Sequence, residues 1–269
     1  MRICFHTHCF PDALAPRAIG ALADIAKPCG YAPHTDGTAA GALAYLREAG
    51  IDAALVCNIA TNTHQEKKVN DFAISLAKSD LPLFATGSVH PDSEQIEAEL
   101  DRLAAAGIRG IKIHPDYVKM DITDPRFDRI FSFAEERGLF VITHTGFDPI
   151  APDHIHATAE GILSVVQKHP DLNLIAAHMG GPRQSAEVLG KLVGTSVWFD
   201  TSLCAIREGE RDNLLQILRE HSDERILFGT DTPWSFPKLE VAFVEKAGLS
   251  ERARENIFHR NAERLLLGK

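Results

Sequence analysis

The sequence predicts an α/β chain whose strand–helix units close into one barrel, and three observations carry that prediction. Short apolar, β-branched runs recur along the chain, and they are continuous rather than alternating, as expected for parallel strands covered on both faces. Amphipathic stretches with recognisable start and stop residues separate the runs, which implies βαβ units. The 269 residues suit a single eight-unit barrel. An open doubly wound sheet is the rival, but no G-x-G-x-x-G follows the first run. The expected fold is therefore a single-domain (β/α)8 (TIM) barrel spanning residues 1–269.

The first run is Arg2–His8. The others are Ala54–Ile59, Leu83–Val89, Gly110–His114, Leu139–Thr143, Asn173–His178, Val197–Thr201 and Ile226–Asp231. Between them, Asp92 and Ser93 are candidate caps for a helix with the stripe Ile96, Leu100, Leu103, Ala104, stopped by Gly107. Asp124-Pro125 is a cap followed by proline at the first helical position, and Gly138 closes that helix. Pro182 opens another helix, ended at Gly194. One connection breaks the rhythm. After His8 comes a helical insertion, with helices near Asp12–Lys27 and Thr38–Ala49 joined by the turn-rich Pro28–His34. An insertion at the carboxyl end of a barrel strand lies over the mouth, so it is expected to form a lid or wall, with Gly146–His156 as a second wall.

Composition narrows the function classes. Apolar residues make up 45% and charged residues 24%, ordinary for a globular core. The formal net charge of -9 argues against a nucleic-acid partner, which needs a basic face. No apolar run is long enough to span a bilayer, and no signal peptide precedes the first strand, so no membrane partner is expected. Five cysteines without paired spacing suit a reducing, cytoplasmic setting.

The chemistry is concentrated in histidines. His6 and His8 lie two apart at a strand end, on one face, about 6–7 Å apart at Cα. Of thirteen histidines, His6, His8, His90, His114, His144 and His178 fall at or beside strand carboxyl ends, as do Asp200 and Asp231. In a barrel those ends form one ring, and several imidazoles with a carboxylate suit a borderline divalent ion such as zinc. Lys112 shares a strand face with His114 and is expected to point inward, where an ammonium needs a partner. Arg183 is a candidate carboxylate clamp, because guanidinium pairs with carboxylate through two parallel bonds. Cys4 is expected inside the barrel, one layer below His6.

His6-x-His8, His144, His178 and Asp231, with Gly110-Ile-Lys-Ile-His-Pro115, His178-Met-Gly-Gly181, Gly229-Thr-Asp-Thr-Pro233 and the tail Asn256–Leu266, resemble the amidohydrolase superfamily, in its amidohydrolase-related branch. The resemblance spans the chain. It implies one divalent metal, most simply zinc, held by His6, His8, His144 and Asp231, with His178 completing the shell or acting as acid or base. Asp231 is implied as a second proton-handling group. Lys112, His114, His90 and Arg183 are the expected substrate contacts. The expected activity is metal-dependent hydrolysis of a small amide, ester or lactone by metal-activated water. The alternative is non-oxidative decarboxylation of a small carboxylated aromatic or muconate-like compound. The partner is then a small molecule, and the superfamily's habit admits a homodimer.

Overall fold

The computed structural model describes residues 1–268. Its strands are β1 (Ile3–Thr7), β2 (Ala53–Val56), β3 (Leu83–Ala85), β4 (Gly110–Ile113), β5 (Phe140–Thr143), β6 (Leu174–Ala176), β7 (Trp198–Asp200) and β8 (Ile226–Leu227). The helices are α1 (Ala15–Ala26), α2 (Ala39–Arg47), α3 (Thr63–Ala77), α4 (Ile96–Ala105), α5 (Pro115–Val118), α6 (Pro125–Glu136), α7 (Ala159–Lys168), α8 (Ser185–Lys191), α9 (Arg211–Glu220), α10 (Pro237–Glu245), α11 (Glu251–Glu255) and α12 (Asn261–Leu267). Each expected strand run overlaps one strand, β2 starting one residue before its run. Except in β5 the ladders stop short of the runs' carboxyl ends, and His8, His90, His114, His144, His178 and Asp231 all follow the strands.

Sequential strands pair in parallel in two arcs, β1-β2-β3 and β4 to β8. Two narrow seams join the arcs. Thr7 bridges Thr232, with Phe5 N donating to Phe228 O at 2.7 Å, and Gly87 bridges Ile111, with Lys112 N donating to Gly87 O at 2.9 Å. The ring is therefore closed, and the fold is a (β/α)8 barrel.

Two apolar layers hold it. One fills the lumen with Ile3, Phe5, Leu55, Phe140, Ile142, Ile175, Trp198 and Leu227, plugged from below by Leu266 of α12. The other packs the helices against the sheet, and Cys4 belongs to it rather than to the lumen. The cause is a register shift against β2 between Cys4 and Thr7, which breaks the alternation that placed Cys4 beneath His6. Each large apolar side chain so buried contributes about 1.5–3 kcal/mol.

Local chemistry sets the helix starts. Asp124 accepts from Arg126 N at 3.0 Å, with Pro125 at the first position of α6. Thr38 and Thr158 cap α2 and α7 in the same way. Neither Asp92 nor Ser93 caps α4. Gln95 holds that position, and Ser93 Oγ accepts from Gln95 N and donates to Glu66. Pro182 does not open α8 directly, because Arg183 is left-handed (φ 66°) and delays the helix to Ser185.

The insertion holding α1 and α2 folds back onto the mouth, as its position at the end of β1 predicts. His34 N donates to Pro233 O at 2.9 Å, and the His34 ring packs on Phe236, with centroids 4.2 Å apart. Tyr31 reaches further in: burial raises its pKa, and the charges of Arg207 and Asp231 act on it. Among the described residues no helix is long and apolar enough to cross a membrane.

Candidate metal centre and active site

The β1 and β8 ends build one group. His6 Nε2 lies 3.4 Å and His8 Nε2 3.1 Å from Asp231 Oδ1. The other nitrogen of each ring is already engaged: His6 Nδ1 with Asp200 Oδ2 at 2.8 Å, and His8 Nδ1 with Cys57 O at 2.9 Å. Those acceptors place the protons on Nδ1, so both Nε2 lone pairs face a carboxylate oxygen that is itself an acceptor. Three acceptors turned on one another need a cation. Neighbouring ligands of a tetrahedral zinc-type ion lie about 3.3 Å apart, given bonds of 2.0–2.2 Å, which matches these distances. The donor set therefore fits a divalent metal, with Asp200 and Cys57 O orienting the imidazoles from behind.

Asp200 is the hub of this half. Besides His6 it accepts from the backbone N–H groups of His178 (3.1 Å) and Ser202 (3.0 Å) and from Ser202 Oγ. Since Ser202 Oγ donates to Asp200, it accepts from His178 Nδ1 at 2.7 Å. His178 Nε2 is then an acceptor for His144 Nδ1 at 3.2 Å. The result is a directed relay from His144 through His178 and Ser202 to Asp200. Burial holds the pKa values of His6, His144 and His178 well below the ordinary histidine value, helped by the positive charge of Lys112 at each. Burial raises that of Asp231, against the neighbouring His8 and Lys112.

His178 stands on an unusual turn. His178, Met179, Gly180 and Gly181 all have positive φ, at 58°, 52°, 79° and 97°. A Cβ on Gly181 would meet Thr145 O at 2.1 Å, so that position has to be glycine. Arg207, buried after β7, holds both ends of the turn by donating to His178 O at 2.6 Å and Gly181 O at 2.8 Å, and is itself paired with Glu210.

The β4 and β5 ends build a second group. His114 and His144 stack with centroids 4.2 Å apart and planes 8° apart. Asp148 Oδ2 lies 3.5 Å from His114 Nε2 and 3.7 Å from His144 Nε2, and Asp116 Oδ2 lies 3.6 Å from His114 Nδ1. Burial works against the charge of Asp148, but the hydrogen bond to His114 and the neighbouring imidazoles pull its pKa below the usual carboxylate range. Three buried polar atoms of this group, His114 Nδ1, Asp116 Oδ2 and His144 Nε2, have no hydrogen-bond partner.

Lys112 lies between the two groups, 1% exposed. Its Nζ is 3.3 Å from His6 Nε2, and it enters none of the ion pairs found among the described residues. Burial lowers its pKa, against the opposing pull of Cys57, Asp200 and Asp231.

The expected residues thus divide. His6, His8 and Asp231 come together as a group that could hold a metal ion. His144, expected with them, is not in that group: its ring is stacked on His114, with one nitrogen on His178 and the other toward Asp148. His178 neighbours His6, with ring centroids 4.8 Å apart, but its nitrogens are used by Ser202 and His144. His114 and Lys112 line the mouth. His90 does not join these groups; its Nδ1 accepts from Asp92 N in its own turn. The exposed Arg183 guanidinium lies flat on the Phe147 ring, 3.4 Å from its centroid. Asp116, Asp148, Ser202 and Arg207 were not singled out from sequence. Asp116 and Asp148 follow strand-end histidines by two and four residues, the one signal that pointed to them. The shallow cavity at the opposite end of the barrel, lined by Leu83, Phe84, Arg109 and Leu266, holds none of this chemistry.

Solved structures share the whole architecture. An uncharacterised TIM-barrel protein from Bordetella bronchiseptica superposes with a TM-score of 0.74 at 20% identity, covering 100% of this chain and 99% of its own. A 5-carboxyvanillate decarboxylase from Novosphingobium aromaticivorans, with bound manganese and a nitrobenzoic acid, gives 0.69 at 16% identity, with coverage of 99% and 97%. A 2,6-dihydroxybenzoate decarboxylase from Rhizobium gives 0.66 at 17% identity, with coverage of 99% and 98%. At these identities the likeness is one of fold. No curated protein matches the sequence. The amidohydrolase family profile matches residues 3–267, nearly the full chain. With the β1 histidine pair, the β8 aspartate and the closed barrel all in place, this chain belongs to the amidohydrolase family.

Proposed function

We propose that the protein is a metal-dependent carboxy-lyase acting on a small carboxylated ring compound. The observation that carries this reading is Lys112: a buried ammonium that, among the described residues, bonds to His6 Nε2 and pairs with no carboxylate. A lone buried cation is costly, and a substrate carboxylate would neutralise it. A metal ion on His6 would also claim the lone pair that Lys112 now uses, leaving the ammonium to turn to the substrate anion. The structural neighbours that act on carboxylated aromatic rings support the same reaction class.

His6, His8 and Asp231 are the proposed metal holders. A divalent ion there supplies Lewis-acid polarisation of a substrate oxygen. Lys112 binds the carboxylate, and His114, Asp116 and Asp148 receive donor groups of the ring. The bond from ring carbon to carboxylate carbon breaks, its electrons stay on the ring, and carbon dioxide leaves. A proton taken from water then reaches the carbon through His144 or His178, whose relay to Asp200 holds the imidazoles in one tautomer. Arg183 and His90 act at the rim and in the wall. The neighbour's manganese and the imidazole–carboxylate set make manganese and zinc the first metals to load. The five free cysteines fit a reducing compartment such as the cytoplasm.

A second reading, hydrolysis of a small ester, amide or lactone, rests on Asp231 being able to take a proton from water at the same centre. One experiment separates the two. Metal-loaded enzyme is given hydroxylated benzoates and, separately, lactones, with carbon dioxide and ring opening measured. Carbon dioxide release supports the proposal; ring opening alone overturns it. Lys112→Met should then raise KM about 30-fold, the loss expected when a buried charge pair is broken. An unchanged KM would remove Lys112 as the carboxylate anchor.

A further inference from the structure

We propose a second divalent-cation site on the outer wall of the mouth, formed by Asp121, His154 and His156, for a borderline ion such as zinc. Each of these residues offers a ligand atom within 4.8 Å of the others. His154 Nε2 and Asp121 Oδ1 are 2.7 Å apart, a hydrogen bond that an ion would replace by binding both atoms. The His154 and His156 rings have centroids 4.4 Å apart and planes at 86°.

The site is held by its surroundings. Ile122 N donates to His156 O at 2.8 Å, so the backbone on either side of the ligands is paired. His156 Nδ1 is engaged by Oδ1 of the buried Asp116 at 2.9 Å, which leaves Nε2 as its free lone pair. Side-chain exposures of 59% for His154 and 58% for Asp121 leave an ion a route in and water to complete its shell. The inner group of His114, Asp116 and His144 has similar residue types but the wrong geometry. Its two imidazoles are stacked with planes 8° apart, and in-plane lone pairs on parallel rings do not meet at one ion. The outer rings are nearly perpendicular, so no stacking holds their lone pairs in parallel planes.

An ion here ties the segment after β5 to the segment between α5 and α6, closing the wall beside the mouth. Through His156 its charge reaches Asp116, whose other oxygen faces His114.

Metal-stripped, tag-free, full-length protein titrated with Co2+ or Zn2+ tests this, with bound ions per chain and the visible spectrum of Co2+ as readouts. Wild type should bind two ions. His154→Ala and Asp121→Asn, both at exposed positions, should each weaken one of the two at least tenfold and leave the other unchanged, while His8→Ala does the reverse. One ion lost in His154→Ala but kept in His8→Ala supports the outer site even if the inner centre proves not to hold metal. Binding in His154→Ala identical to wild type, in number and affinity, overturns it.

Discussion

The mouth has two halves built from the same residue types, and they differ in saturation. On the β1, β7 and β8 side, the Nδ1 atoms of His6 and His8 and both oxygens of Asp200 have partners, and the two Nε2 atoms converge with Asp231. On the β4 and β5 side, His114, Asp116 and His144 each keep an unpaired buried atom. Unpaired buried polar atoms cost about 1–3 kcal/mol each, so they persist where something else completes them. The saturated half reads as a preorganised metal cradle, and the unsaturated half as the place where a substrate makes its polar contacts.

The largest test of that division compares two histidines. His8→Ala should leave no metal at the inner centre and no activity, because it removes one of three converging acceptors. His144→Ala should keep the metal and lose turnover, because its ring belongs to the relay. Metal content by plasma mass spectrometry beside activity decides it, and loss of the ion in His144→Ala would put His144 among the ligands and erase the division.

Next comes Asp200→Asn. The change leaves size alone but removes the charge that orients His6 and anchors Ser202. Metal affinity should fall about 10–100-fold, the usual effect of losing a partner behind a ligand. Unchanged affinity would show that the hydrogen-bonded cradle is not what holds the ion.

A smaller effect probes the scaffold of the saturated half. Glu240 accepts from Ala205 N after β7 and Ser235 Oγ after β8, and burial raises its pKa to about 8. Its folded value lies above its unfolded one, so the folded state binds more protons between about pH 4.5 and 8, and stability falls as pH rises through that window. The loss is on the order of 1 kcal/mol per pH unit. In Glu240→Gln the amide oxygen still accepts from Ala205 N and the amide N–H2 donates to Ser235 Oγ, without a titrating group. Its stability advantage over wild type, from denaturant midpoints, should widen from pH 5 to 8 and then level off. A constant difference would mean that Glu240 ionises freely in the folded state.

How much of this was legible in the sequence follows the same division. Strand runs buried on both faces are continuous, so each of the eight strands was visible, and the histidines were found because barrel chemistry collects at strand ends. Pairing was not visible. His6 Nδ1 finds Asp200 across the whole chain, and Arg207 reaches back to His178 O, contacts that no local spacing encodes. Cys4 was misplaced because a register shift leaves no mark in the strand's apolar pattern. His144 was expected among the ligands from the resemblance and from its strand end; its stacking on His114 depends on where β4 places the neighbouring ring.

The smallest predicted effect bears on the unsaturated half itself. In Asp116→Asn, the carbonyl oxygen can still accept from His156 Nδ1, while the new N–H2 group replaces the unpaired oxygen that faces His114 and His144. His144 donates through Nδ1 to His178, so its Nε2 is an acceptor, and a donor beside it relieves a mismatch. Stability should therefore stay within about 1 kcal/mol of wild type, despite substitution of a fully buried carboxylate. Substrate binding should suffer instead, because the site for a substrate donor is now filled by the protein's own. Thermal melting beside KM separates the two. A melting point several degrees lower with KM unchanged would make Asp116 a structural ion-pair partner, and the unpaired atoms would no longer mark where the substrate sits.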